Sequence, residues 1–170
     1  MKRIQIVLAA ATLLVFAAGN AMAAGDTGTV TLAATVPAKA TLTLSGNTTP
    51  SFDLTAVENG TAVTASTATT VSAKVRTGAT AEPTLTVKAA TDFVNGTYAG
   101  HNIPASDVAW TATSDLAGGT LSTTDEVPVN NAWTGSGTYS GDMTWTLANN
   151  SNYSTGTYGT VSVAYTLTAP

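Results

Sequence analysis

The chain has 170 residues, no cysteine and only 9% charged residues, with a formal net charge of −4. Because it has no cysteine, the fold can use neither a disulfide nor a thiolate metal site and must be stabilised by its core. Six basic residues against ten acidic ones leave too little positive charge for a nucleic-acid phosphate site or an anionic membrane surface.

Residues 1–23 have the organisation of a secretory signal peptide. Lys2 and Arg3 precede an apolar run over residues 4–18, and Ala21-Met22-Ala23 is a small-x-small cleavage site. The run is shorter than the ~20 residues of a membrane-spanning helix, so we expect cleavage rather than anchoring. Export through the Sec pathway then leaves a mature chain with four basic and ten acidic residues, a net charge of −6.

The segment directly after the signal peptide is patterned as a strand. Residues 29–37 read Thr-Val-Thr-Leu-Ala-Ala-Thr-Val-Pro, and one face of this segment carries Val30, Leu32, Ala34 and Val36. Such alternation predicts a half-buried β-strand. We therefore divide the mature chain into an N-terminal strand segment, residues 24–37, and one domain, residues 38–170. The strand can complete its own domain or be donated to a neighbouring copy, and the sequence leaves both open.

Short alternating segments separated by turn residues fill the rest of the chain. Residues 69–76 and 85–89 alternate on either side of a Gly/Pro-containing turn, which predicts an antiparallel hairpin. The closing strand is predicted from the alternation of Val161, Val163, Tyr165 and Leu167. Seven to nine short strands without helical periodicity predict an all-β fold, a single Ig-like antiparallel β-sandwich.

Residue patterns for catalysis or metal binding are weak. The single histidine, His101, lies in a polar loop, and one histidine leaves little for a catalytic triad. Asp125 and Glu126 are adjacent, so on a strand they would point to opposite faces rather than form a glycosidase pair. We expect no enzyme activity, no cofactor and no metal.

Aromatic residues offer one candidate ligand contact. Trp110 and Trp145 fall on the apolar phase of their strands, which favours core packing. Trp133 lies among polar loop residues, so we expect it to be exposed and consider it a possible contact for a glycan.

The terminal strands carry a family resemblance. Residues 29–37, the Ile103-Pro104 segment and the closing Gly-Thr-Tyr-Gly-Thr-Val-Ser-Val-Ala-Tyr-Thr-Leu of residues 156–167 resemble those of chaperone–usher pilins, particularly alpha-type fimbrial major subunits of the colonisation-factor kind. WxL-like surface domains are the second resemblance, from Trp145-Thr-Leu147 and the Tyr165-Thr-Leu ending, and spore-coat-U-like secreted domains are a third.

The pilin resemblance implies a structural subunit of a surface fimbria that polymerises by donor-strand exchange and supports adhesion. Its partners would be other copies of itself, a periplasmic chaperone, an outer-membrane usher and a host or surface glycan. Val30, Leu32, Ala34 and Val36 would be the donated side chains, and the closing strand would border the acceptor groove. The alternative function is a monomeric secreted or surface-attached binding module, directed at carbohydrate or cell wall.

Overall fold

A computed structural model describes residues 31–170, so the predicted signal peptide and Val30 lie outside the described residues. Nine strands occur in the described part: β1 (Lys39–Gly46), β2 (Val63–Thr64), β3 (Thr69–Arg76), β4 (Thr84–Ala89), β5 (Val108–Ala112), β6 (Gly119–Thr120), β7 (Val127–Pro128), β8 (Gly137–Leu147) and β9 (Val163–Thr168). A single 3₁₀ turn, Ala105–Asp107, precedes β5. Residues 36–170 form one compact unit.

The strands form two packed antiparallel sheets. The larger has six strands in the order β1-β3-β8-β5-β6, with β2 pairing β8, and the smaller has the order β7-β4-β9. The predicted all-β antiparallel sandwich is therefore confirmed. Buried and outward-facing side chains alternate along β3 and β4. The outward ones are mostly threonine and lysine. This is the pattern of a strand with one face on a core.

Two tryptophans form the centre of the core, as their position on the apolar phase predicts. Trp110 of β5 lies directly opposite Trp145 of β8, and their ring centroids are 5.5 Å apart. Each indole N–H is satisfied, by the Ala117 carbonyl at 2.9 Å and by Thr69 Oγ1 at 3.0 Å. Paired aromatics of this kind stabilise beyond their buried area, by about 0.5–1.5 kcal/mol.

The predicted hairpin is wrong. β3 pairs with β1 and β8, whereas β4 pairs with β7 and β9 in the other sheet. The connection between β3 and β4 therefore crosses from one sheet to the other. The physical reason is that each strand has one buried face and must pack against an opposite sheet. A short loop can carry the chain across to that opposite sheet as readily as it can form a hairpin within one sheet.

The sandwich has two ends, which we call proximal and distal, and different strands begin and finish at each of them. At the proximal end β1 begins and β9 ends, since Lys39 pairs with Arg76 and the next residue, Thr77, donates through Oγ1 to the Pro170 carbonyl. At the distal end β1 finishes at Gly46 and β9 begins at Val163, opposite Ala89. β1 and β9 therefore run in opposite directions.

Candidate functional site: an open seam between β1 and β9

One long edge of the sandwich is incompletely covered. We call it the open seam and define it by the inward side chains of two strands: Ala40, Leu42 and Leu44 of β1, and Val163, Tyr165 and Leu167 of β9. Their register partners on β3 and β4 are 0–6% exposed. In contrast, Ala40 and Leu44 are exposed, Leu44 by 37%, and the other four are only partly buried.

Both strands that border the open seam are sheet edges. Within residues 31–170, β1 pairs with β3 alone and β9 with β4 alone, and although the two strands approach each other, no ladder joins them. Among these described residues, β9 therefore presents one row of backbone N–H and C=O groups without a strand partner. A free edge of this kind is a template for adding another strand.

The opposite edge of the sandwich is closed by residues 116–130. This segment carries β6 on the larger sheet and β7 on the smaller one. Backbone hydrogen bonds join its two halves, from Ala117 N to the Val129 carbonyl at 2.6 Å, and Ala89 N reaches the Ser122 carbonyl at 2.9 Å. The fold thus leaves one long edge open and covers the other.

The predicted closing strand largely matches β9. Val163, Tyr165 and Leu167 lie on it and border the open seam, whereas Val161 precedes its first residue and is half-buried beside the core. Burial raises the pKa of the Tyr165 phenol to about 12, and its hydroxyl lies 3.7 Å from Met143 Sδ. The ring of Tyr165 is therefore a partly desolvated wall of the open seam.

The predicted N-terminal strand is only partly described. Residues 31–38 have no regular secondary structure. Leu32 is 89% exposed, Val36 is 66% exposed and Ala34 is exposed too, while Val30 lies outside the described residues. The three described residues of the predicted apolar face are therefore exposed.

The root of that segment is held at the proximal end. Arg76 Nε donates to the Pro37 carbonyl at 2.9 Å, two residues before β1 begins. Val36, Pro37, Ala38, Arg76, Thr77 and Gly78 line a shallow cavity of about 260 Å³ there. Arg76 has no motif around it, so this anchoring role could not be read from the sequence.

The predicted exposure of Trp133 is wrong. Its side chain is 2% exposed, and its ring stacks on Tyr139 with centroids 4.5 Å and planes 6° apart. Its Nε1 donates to the Asp115 carbonyl at 2.6 Å. The physical reason is that the loop folds this side chain inward while its polar neighbours face solvent. With its faces covered, the ring cannot stack on a sugar.

Polar side chains near the distal end form hydrogen bonds with one another. His101 Nδ1 lies 2.8 Å from Ser154 Oγ. The Tyr153 hydroxyl donates to Asp107 Oδ2 at 2.6 Å, and Asn150 Nδ2 donates to the same oxygen at 2.9 Å. Within residues 31–170 no three His, Asp or Glu side chains are grouped to hold a metal ion.

Comparison with known proteins adds no relative: no family model, no curated protein and no solved structure matches the chain. Within residues 31–170 no helix is long and apolar enough to span a membrane.

Proposed function

We propose that this protein is a structural subunit of a surface fimbria and polymerises by donor-strand exchange. The observation that supports it is the open seam, where half-buried apolar side chains lie beside an unpaired strand edge. An added strand would complete the β9 ladder and cover the apolar side chains with its own alternate residues. The role is structural rather than enzymatic, and the subunit acts at the cell surface after export.

The occupant is residues 28–37 of a second copy. Val30 to Val36 spans about 20 Å as a strand and β9 about 17 Å, at ~3.3 Å per residue, so the lengths agree. Val30, Leu32, Ala34 and Val36 would fill successive positions along the open seam. Their burial contributes roughly 4–8 kcal/mol before the cost of ordering the segment.

Strand direction distinguishes donation from self-completion. The segment is tethered at the proximal end, where β9 ends. If it folded back into its own open seam it would run parallel to β9 and antiparallel to β1. Only a segment from another copy can extend the β9 ladder in the antiparallel direction.

The open seam also indicates which partners the subunit would need before and during assembly. Before assembly, a subunit with an unpaired edge and exposed Leu44 is liable to aggregate. A periplasmic chaperone that covers the open seam, and an outer-membrane usher that exchanges it for the next subunit, fit this requirement. Adhesion to a host or surface glycan belongs to the assembled fimbria, and its contact residues do not include the buried Trp133.

Leu32→Asp tests the proposal, with Thr31→Asp as the matched control. Both add one carboxylate to the same segment, but only position 32 lies on the apolar face that would enter the open seam. We expect native chain and Thr31→Asp to give a ladder on unboiled SDS gels that collapses to a ~15 kDa band on boiling, because strand-exchanged polymers dissociate very slowly. Leu32→Asp should give the monomer band alone.

The binding-module alternative makes the opposite expectation. A monomeric module would run as one band in boiled and unboiled lanes, and Leu32→Asp would change nothing on the gel. An undiminished ladder from Leu32→Asp would exclude donation by this segment. The burial of Trp133 removes the feature on which the glycan-directed version of that alternative was based.

A further inference from the structure

Charge is unevenly distributed between the two ends of the sandwich. Residues 31–170 contain four basic residues, and three of them, Lys39, Lys74 and Arg76, lie together at the proximal end of β1 and β3. We call these three the basic patch. They stand out because the mature chain is strongly acidic.

The basic patch is unfavourable within a single subunit. Lys39 and Arg76 are directly opposite each other in the β1–β3 ladder, and Lys74 is two residues from Arg76 on the same outward face. All three are exposed. Like charges directly opposite on a sheet destabilise it, and the nearest acidic residue in the chain, Glu82, lies in the following turn.

The distal end carries the opposite charge. Five carboxylates, the acidic patch, belong to its loops: Glu58, Asp92, Asp107, Asp125 and Glu126. Glu58 is placed there by the Asn149 side chain, which donates to its carbonyl at 2.9 Å, and Asp107 precedes β5 at that end. Asp125 and Glu126 follow Ser122, whose carbonyl accepts from Ala89 at the end of β4.

The remaining charged residues do not cancel this separation. Lys88 lies near the acidic patch, with Nζ 2.9 Å from the Thr124 carbonyl, so five acids face one base there. Asp115 and Asp142 hydrogen-bond along the middle of β8, and Asp53 lies in the connection between β1 and β2. Glu82 lies in the turn between β3 and β4, so three bases face one acid at the proximal end. Each subunit therefore has a positive proximal end and a negative distal end.

We propose that the basic patch of one copy docks on the acidic patch of the next copy in the polymer. This inference rests on the proposed function and adds the surface through which successive subunits meet. A donated segment antiparallel to β9 emerges from the acceptor at its distal end. Because the segment is rooted beside the basic patch, that patch is brought directly to the acidic patch.

The charges also select the direction of donation. A segment inserted parallel to β9 would emerge at the acceptor's proximal end and place one basic patch on another. Like-charge contact disfavours this arrangement, whereas complementary patches speed encounter and fix register. The two ends thus favour a head-to-tail polymer in which every junction is the same.

Three charge-reversed chains test the inference. The first carries Lys39→Glu and Lys74→Glu, and spares Arg76 because it holds Pro37. The second carries Glu58→Lys and Asp125→Lys, and spares Asp92 and Asp107, whose carboxylates bond Ala105 N and Tyr153. The third, which combines all four changes, keeps the native net charge and is the matched control. All four positions are exposed, and circular dichroism checks the fold of each chain.

Heat-dissociated chains are returned to assembly conditions at low salt, and ladder formation is followed on unboiled gels. We expect the first chain alone to assemble about tenfold more slowly than native chain or worse, because its introduced glutamates face five carboxylates. The second chain alone should be slowed less, since its basic patch still meets three carboxylates. An equimolar mixture of the two, and the chain with all four changes, should each assemble faster than the first chain alone, because introduced glutamates then meet introduced lysines.

Two other results would overturn the inference. If both single-end variants assemble at the native rate, or if mixing them brings no recovery, the patches do not meet at the junction, while a ladder that still depends on Leu32 keeps the proposed function intact. If native chain forms no ladder at all, the proposed function and this inference both fail. In the favourable case the native rate should also fall as salt is raised, because the Debye length shrinks from about 30 Å at 0.01 M to about 8 Å at 0.15 M.

Discussion

Gly141 is a residue whose lack of a side chain allows close packing at one edge of the β5–β8 pair. Gly141 on β8 lies so close to the Thr113 carbonyl oxygen that an added Cβ would overlap it, and Leu116 Cγ would be 3.0 Å away. Its backbone is in an ordinary conformation, so the requirement for glycine is one of space. The close approach lets the turn after β5 pack flat on β8.

Gly141→Ala should therefore destabilise the domain. We expect the free energy of unfolding to fall by about 1–3 kcal/mol, the usual cost of overpacking a close contact. Gly78→Ala is the control, because its added Cβ would meet only the Ala81 methyl at 3.8 Å and should change stability by less than about 0.5 kcal/mol. Urea denaturation of the mature chains measures both, and equal midpoints would show that the turn adjusts freely.

Tyr165 predicts a loss of stability in alkali. Burial raises the pKa of its phenol from 10.0 to about 12, so the folded state holds the proton more tightly than the unfolded state. The resulting stabilisation is complete below pH 10 and is lost as the pH rises towards 12. This residue alone contributes a fall of up to about 1.4 kcal/mol per pH unit in that window.

Denaturation of native chain and Tyr165→Phe at pH 9 and pH 11 measures this effect. The Phe variant should lose less stability between the two values. Tyr153→Phe is a useful comparison, because burial and the neighbouring Asp107 carboxylate also raise the pKa of Tyr153. If Tyr165→Phe follows the native pH dependence, the phenol is not desolvated by the wall of the open seam.

At the scale of elements, β1 and β9 should respond differently to assembly than the inner strands. We expect amide hydrogen exchange in β1 and β9 to slow in the polymer, because an added strand would protect both borders of the open seam. β3 and β8 are already paired on both sides, so their exchange should change little. Uniform protection of all strands, or none in β9, would contradict strand addition at this edge.

The strands themselves were largely predictable, whereas their partners were not. Alternation over residues 69–76 and 163–167 reflects a local property, the burial of one strand face, and so it is visible in the sequence. Pairing depends on contacts between distant segments, and for this reason the hairpin of β3 and β4 was predicted wrongly. The predicted exposure of Trp133 is wrong for a similar reason, since a loop side chain can fold inward whatever its neighbours in the sequence are.

The candidate site was predicted in part. The apolar faces of residues 29–37 and of β9 are both periodic and could be identified. That β1 and β9 lie at the same edge, with nothing paired between them, depends on the order of strands in two sheets. The charge separation between the ends likewise depends on register, because Lys39 and Arg76 are 37 positions apart in the chain and opposite each other only in the ladder.

For the whole molecule, the asymmetry of its two long edges is the most consequential property. Residues 116–130 link the sheets on one side, and the open seam occupies the other. The core between them is complete, with Leu85, Val87 and Met143 fully buried. The fold described by residues 36–170 therefore combines a filled core with one open edge.

A body with one open edge and one N-terminal segment has a valence of two under the proposed assembly. Such monomers would grow as unbranched chains, because residues 31–170 present no second open edge at which a side branch could start. Growth would stop wherever a copy accepts a segment but has none to give. Chain length would then be set by the supply of such terminators, and thickness by the sandwich itself.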